Sequence, residues 1–257
     1  MLMNSSEDDF PLLYHAHHTR HMEDLPFWLG LAQRQGSPVL ELGCGSGRIL
    51  IPLAEAGFSV TGIEIDPGML QVLSEQLPET LRPRVKLVQG DFTRFELAEQ
   101  FGLVILPCNT YSTLDAAQRQ ALIACVAQHL PAGGVFAAGL PNPALLRQLP
   151  AYSDPEVEEV FPHPRYGKPV QVSSSWQRTA QGLTVAWDYA YTTAGGQAQV
   201  IHRQVKHHLV NIQDYLSELH RAGFDVVELY GNFDGSTYRR QSEQLILAAR
   251  FEPPRSA

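Results

Sequence analysis

The string Glu41-Leu42-Gly43-Cys44-Gly45-Ser46-Gly47-Arg48 holds the residues of this 257-residue chain best suited to chemistry. Glycines at alternate positions let the backbone turn tightly and approach a ligand with no Cβ in the way. In an open α/β sheet such a turn lies where a strand ends and a helix begins, and it faces nucleotide-like ligands. A dinucleotide site would want G-x-G-x-x-G, with a pyrophosphate at the helix N-terminus. Here the spacing is G-x-G-x-G, Arg48 occupies the place of the last expected glycine, and Glu41 lies two residues before the first. A carboxylate there suits a ligand bearing an ammonium group and repels a pyrophosphate. Two further acids extend the pattern. Glu64 ends the second β-rich run, where an acid can accept from two ribose hydroxyls. Asp91 ends the third and can accept from an adenine amine, while the following Phe92 offers an apolar wall.

The elements that must position these acids can be read from the hydrophobic pattern. From Pro38 to Leu140, short β-rich runs alternate with helical ones, which is the signature of a parallel sheet built from βαβ units. Strands are expected at 39–42, 59–63, 85–88, 103–106 and 135–140. Helices are expected at 48–56, from Pro67 after the cap Asp66, and at 115–129. A leading helix is expected at 24–33, and a final helix at 212–222 closed by Gly223, before strands at 224–229 and 243–249. Between Asn142 and Leu209, Pro-rich loops precede alternating stretches around Trp176, Trp187 to Tyr191 and Val200. These read as antiparallel strands joined at Gln181-Gly182 and Gly195-Gly196. The expected division is 1–37 as an N-terminal lid and leading helix, 38–141 with 210–257 as the core, and 142–209 as a β-rich insertion on the substrate side.

Val39 to Arg48, Val60 to Leu70, Gln89-Gly90-Asp91-Phe92 and Leu130-Pro131-Ala132-Gly133-Gly134-Val135 together resemble the motif series of class I S-adenosylmethionine-dependent methyltransferases. The resemblance covers Pro38 to Leu140, and Gly223 to Ala249 is similar to that family's last helix and hairpin. It implies a doubly wound, Rossmann-like α/β fold: a seven-stranded, mostly parallel sheet with one antiparallel strand near an edge. S-adenosylmethionine is the implied cofactor, with Gly43, Gly45 and Gly47 beside the methionine part and Glu41 near its ammonium. Glu64 falls on the ribose, Asp91 and Phe92 at the adenine, and Cys108 and Asn109 near the sulfonium. Cys44, Arg48, Ile65 and Met69 complete the implied set, and Tyr14 in the lid segment could reach the cofactor carboxylate. More loosely, the insertion and Phe233-Asp234-Gly235-Ser236 resemble a bacterial subgroup acting on small metabolites, aminosugar N-methyltransferases among them.

Other tempting residues receive plainer readings. Cys44 and Cys108 have no base nearby in sequence and read as small buried hydrophobes. His17 and His21 have i,i+4 spacing, but no neighbouring Cys or carboxylate completes a metal set, so no metal is expected. The four histidines His15, His17, His18 and His21 read instead as part of a polar lid. Trp176, Trp187, Tyr189 and Tyr191 read as the core of the insertion rather than a substrate box. On a strand His207 and His208 face opposite ways, so one of them can face the pocket.

Asp and Glu outnumber Lys and Arg by 27 to 19, a net charge of −8 that argues against a phosphate backbone as partner. Pro107-Cys108-Asn109-Thr110-Tyr111 also lacks the Pro-Pro-aromatic signature of enzymes that methylate base amines. Three cysteines without a CxxC pair fit a reducing cytosol, the acidic Met1 to Phe10 segment lacks a signal peptide's apolar run, and no stretch is long enough to span a membrane. The expected activity is in-line methyl transfer to a small molecule, where catalysis is chiefly orientation. A base is needed only if the acceptor must lose a proton, and Tyr111, His207, His208 and Tyr230 are the candidates. An NAD-dependent oxidoreductase and a non-catalytic cofactor-binding module are the alternatives. Acceptor identity and oligomeric state are not encoded in any motif.

Overall fold

In the computed structural model, which describes residues 9–253, Val39–Leu42 forms β1 and Leu103–Leu106 forms β4. Both are buried at every residue, as central strands covered on two faces must be. They lie at the centre of a sheet completed by β2 (Val60–Glu64), β3 (Val85–Gln89), β5 (Val135–Pro141), β10 (Phe224–Tyr230) and β11 (Gln244–Phe251). The order is β10-β11-β5-β4-β1-β2-β3, and only β11 runs antiparallel to its neighbours. The seven-stranded, mostly parallel sheet expected from the motif series is therefore present.

Helices cover both faces. On one side α5 (Ala116–His129) and α7 (Ile212–Arg221) pack Leu122, Val126, Tyr215 and Leu219 onto Leu40, Leu42, Val104 and Phe136. On the other, α2 (Leu25–Gln35), α3 (Leu50–Glu55) and α4 (Pro67–Gln76) pack Trp28, Leu53 and Leu73 onto Val39, Ile105 and Ala137. Local chemistry sets the helix starts. Asp66 accepts from the N–H groups of Gly68 (2.7 Å) and Met69 (3.3 Å) ahead of α4, whose first residue is Pro67. Asp115 and Gln118 cap α5 reciprocally, each side chain bonding the other's backbone at 2.9 Å. The helix expected from Arg48 begins only at Leu50, because the Gly-rich turn runs further than the apolar stripe suggests.

After β5 and a short α6 (Pro143–Leu146) the chain builds a second, antiparallel sheet. Its strands β6 (Glu156–Pro162), β7 (Pro169–Arg178), β8 (Gly182–Thr192) and β9 (Ala198–His208) lie in sequence order. β6 falls in the segment expected to be Pro-rich loop. It is an edge strand paired only with β7, and Pro162 sits at its very end, so it needs few ladder N–H donors. α1 (Phe10–His18) is the second unexpected element. Its buried face, Pro11, Leu13 and His17, is masked in sequence by the histidines around it. Leu13 joins Phe161, Val170, Val172, Tyr189, Tyr191 and Ile201 in an apolar cluster separate from the two cores of the main sheet. Asp9 fixes the start of α1 to this sheet through Arg165 (2.5 Å) and Tyr191 (3.1 Å). Arg147 staples the two ends of the insertion, donating to the Leu209 carbonyl at 2.6 Å and to Asn211 at 3.1 Å. Among the described residues no helix is long and apolar enough to cross a membrane.

Candidate active site

Alternation along β1 sends Leu40 and Leu42 toward α5 and Glu41 toward α2. The Glu41 carboxyl is buried, and its Oε2 has no hydrogen-bond partner among the described residues. Burial raises its pKa well above the usual carboxylate range, opposed by the Arg48 guanidinium. An orphaned buried acceptor costs about 1–3 kcal/mol, which a donor-rich cationic ligand group would recover. At the end of β2, Glu64 accepts from Gly45 N–H through Oε2 and from the N–H groups of Ile65 and Asp66 through Oε1, each at 2.9 Å. One carboxylate thus ties the Gly-rich turn to the second strand.

The glycines of that turn serve different ends. Gly47 has φ 88°, and a Cβ there would sit 2.2 Å from Leu73 Cδ1, so it permits packing on α4. Gly45 has φ 53°, and a Cβ would meet nothing within 4 Å, so open space lies over its backbone. Beyond it Ile65 is 62% exposed, an apolar side chain left at the strand end without cover. An orphaned acid, an open glycine cradle, an acid at the second strand and a bare apolar wall fit an amino-acid-bearing nucleoside. Asp91 is more occupied than expected. Its Oδ1 accepts from Thr93 N–H (2.9 Å) and Oγ1 (2.7 Å), which lowers its pKa, and Oδ2 faces Arg94 at 3.2 Å. Gly43 packs near Phe92, and Met69 is buried in α4.

Next to this turn is a cavity of about 770 Å3. Its floor is the carboxyl edge of the main sheet, including Cys108, Asn109, Gly139 and Gln244, and its roof is α1 with β8 and β9. Phe10, Tyr14, Trp187, Tyr189 and Phe233 contribute aromatic wall, and Asp24, Arg48, His18 and His207 contribute polar groups. Tyr14 and His18 rings stand 3.9 Å apart, and burial pushes the His18 pKa down to about 3. Gln244 Oε1 is buried here without a partner among the described residues.

Arg48, expected beside the cofactor, spends its guanidinium on the protein. It forms a two-point ion pair with Asp24 (2.5 and 2.7 Å) and reaches the His21 carbonyl and Cys108 Sγ, both at 2.9 Å. Cys44 is buried as expected, whereas Cys108 is exposed at the cavity. The reason is the backbone: Cys108 and Asn109 have φ 60° and 62°, the left-handed region uncommon for such residues, and that turn rolls Cys108 out of the core.

Of the four candidate bases only His207 lines the cavity. Tyr111 is fully buried against Phe136 and Tyr215 on the α5 side of the sheet. Tyr230 packs on Phe27 and bonds Glu228. His208 points away from the roof's inner face, as alternation requires. His207 Nδ1 lies 2.8 Å from Ser112 Oγ, which donates its one proton to the Asn109 carbonyl at 2.7 Å. That assigns the ring proton to Nδ1 and leaves Nε2 as the free acceptor. Burial lowers the His207 pKa, with His208 adding to the shift. Asp24, Gln244 and Glu158 emerge as cavity-lining residues only in the structure. They lie far from the motifs in sequence, and only the fold brings them to the cavity. The aromatic set divides between roles: Tyr189 and Tyr191 are buried in the roof's apolar cluster, while Trp187 and Tyr189 also face the cavity.

A family model described as a methyltransferase domain matches residues 39–134, the stretch that carries β1 to the turn before β5. The Bacillus subtilis protein YqeM, itself only provisionally named a methyltransferase, is 27% identical over 232 residues, 87% of each chain. A solved S-adenosylmethionine-dependent methyltransferase from Clostridium acetobutylicum superposes with TM-score 0.77 over 96% of this chain and 99% of its own, at 12% identity. The glycopeptide N-methyltransferase MtfA, solved with S-adenosylmethionine, is 26% identical over 89% of this chain and 94% of its own, with TM-score 0.58. With the strand order, the acid at each of three strand ends and the open Gly-rich turn, these show a methyltransferase domain with the class I S-adenosylmethionine-dependent fold, whose cofactor is S-adenosylmethionine.

Proposed function

We propose that this enzyme methylates an amine of a small-molecule acceptor seated in the cavity under the β-rich roof. The observation that carries the reading is the His207–Ser112–Asn109 relay, which leaves a bare imidazole nitrogen at the wall of a cavity sized for a small ligand. When bound, S-adenosylmethionine supplies an electrophilic methyl group on a sulfonium. Glu41 would face its ammonium, Glu64 its ribose, and Ile65 and Phe92 its adenine, while Cys108 and Asn109 line the passage toward the acceptor. Gln244 is suited to accept from the acceptor's N–H, aiming the lone pair. His207 Nε2 takes the proton that the methylated nitrogen must lose, and the aromatic wall keeps water away from the encounter. The N-methyltransferase activity of MtfA favours nitrogen over oxygen as the acceptor atom. The acidic balance of the chain favours a small acceptor over nucleic acid.

The test is a screen of amino sugars, amino acids, peptides and hydroxylated counterparts with methyl-labelled S-adenosylmethionine, followed by His207→Ala on whichever acceptor turns over. A loss of about 10²–10⁴ in kcat, with cofactor affinity unchanged, is expected. Full turnover by the variant would remove His207 from the chemistry. Stoichiometric cofactor binding with no acceptor turned over would favour a non-catalytic binding module.

A further inference from the structure

We propose that His17, His21 and Glu159 form a divalent transition-metal site, of the kind zinc occupies, joining the end of α1 to β6 at the cavity wall. The i,i+4 histidines lack a third ligand nearby in sequence, and β6 supplies it from some 140 residues away. His17 Nε2 and His21 Nε2 lie 3.8 and 3.1 Å from the same oxygen, Glu159 Oε2, and all three atoms fall within 4.8 Å of one another. Around a tetrahedral ion with ligands at 2.0–2.1 Å, neighbouring donor atoms stand about 3.3 Å apart. The two separations straddle that value.

The surroundings are those of a prepared ligand set. His17 is buried and stacks on Phe161 at 5.9 Å with planes 16° apart. Its other nitrogen, Nδ1, contacts Tyr189 Oη at 3.1 Å, the kind of outer partner that orients a metal-binding imidazole. Arg20 engages Glu159 Oε1, which leaves Oε2 as the oxygen turned to the histidines. His21 is largely exposed, which gives an ion a way in. His17 and His21 both line the cavity, which sets the three ligands at its wall. Two imidazoles and one carboxylate suit zinc or its first-row neighbours rather than magnesium or calcium, which prefer all-oxygen shells. This inference is independent of the acceptor and of His207.

The experiment uses the full chain, stripped with a chelator, without cofactor or acceptor. Zinc is titrated against a chromophoric chelator on wild type, His21→Gln and Glu159→Gln, with circular dichroism checking that each is folded. One equivalent bound by wild type, weakened at least tenfold in both variants, is expected. A zinc-dependent rise in wild-type Tm that His21→Gln loses should accompany it. Absence of stoichiometric zinc in wild type overturns the proposal, as does undiminished affinity in His21→Gln, which removes only an exposed side chain.

Discussion

Glu64 offers the sharpest quantitative test of the cofactor site. A carboxylate has about four lone-pair positions. Three are filled by the N–H groups of Gly45, Ile65 and Asp66, each at 2.9 Å. That leaves one for a ribose hydroxyl. A hydrogen bond to a charged group contributes about 1.5–3 kcal/mol, or roughly 10- to 150-fold in Kd. Glu64→Ala should therefore weaken S-adenosylmethionine and S-adenosylhomocysteine by at least that factor, because the Gly-rich turn also loses its tie to β2. Titration calorimetry reads this without any knowledge of the acceptor. A deoxyribose analogue of S-adenosylhomocysteine closes the cycle: its penalty in wild type should vanish in the variant. Binding by Glu64→Ala within threefold of wild type, or a deoxy penalty that persists in it, would refute the assignment. Binding of NAD by wild type in place of both ligands would refute the reading of the glycine spacing.

Three further outcomes follow from the same geometry. Asp24→Ala leaves the largely buried Arg48 without its two-point partner and Trp28 Nε1 without its acceptor, so urea unfolding should show a loss of about 3–5 kcal/mol; a loss under about 1 kcal/mol would contradict the staple. Gly47→Ala forces a side chain into the left-handed region against Leu73, and should cost about 1–3 kcal/mol as well as weakening cofactor binding, read by the same unfolding and calorimetry. Burial lowers the pKa of His15, His17, His18 and His207, so the unfolded chain binds more protons than the native one below about pH 6.5, and stability should fall on acidification. For His18, pushed to about 3, the loss between pH 6.5 and 5 is up to about 2 kcal/mol, and urea midpoints that match at pH 8 and pH 5 would count against it.

What was legible in the sequence was what local pattern encodes. β1 to β5 announce themselves because parallel strands are short apolar runs, and β1, β2 and β3 end at a Gly or an acid on the carboxyl edge of the sheet. The burial of Glu41 within β1 and the place of Glu64 at the end of β2 follow the same pattern. Tyr111 was not, because its place after β4 looks like Asn109's, yet the left-handed pair Cys108 and Asn109 and the following 3-10 turn carry it to the opposite face of the sheet. α1 was hidden because its histidines supply contacts, such as His17 with Tyr189 and His15 with Ser46, that polarity scales score as solvent. β6 was hidden because edge strands tolerate the prolines that mark loops elsewhere. Gln244 and Glu158 meet at the cavity only through tertiary closure, which no short spacing reports.

The Arg147 staple has an evolutionary consequence. Because Arg147 holds Leu209 and Asn211, the chain departs from the main sheet and rejoins it at nearly one point, and the stretch between is a loop-like excursion whose apolar cluster, shared with α1, is separate from the cores of the main sheet. A segment with neighbouring ends and a separate interior can be lengthened, shortened or exchanged wholesale while β5 and β11 keep their pairing. The main sheet can then stay fixed as the roof diversifies, so the cavity between them can change by cassette replacement rather than by slow repacking of a shared core.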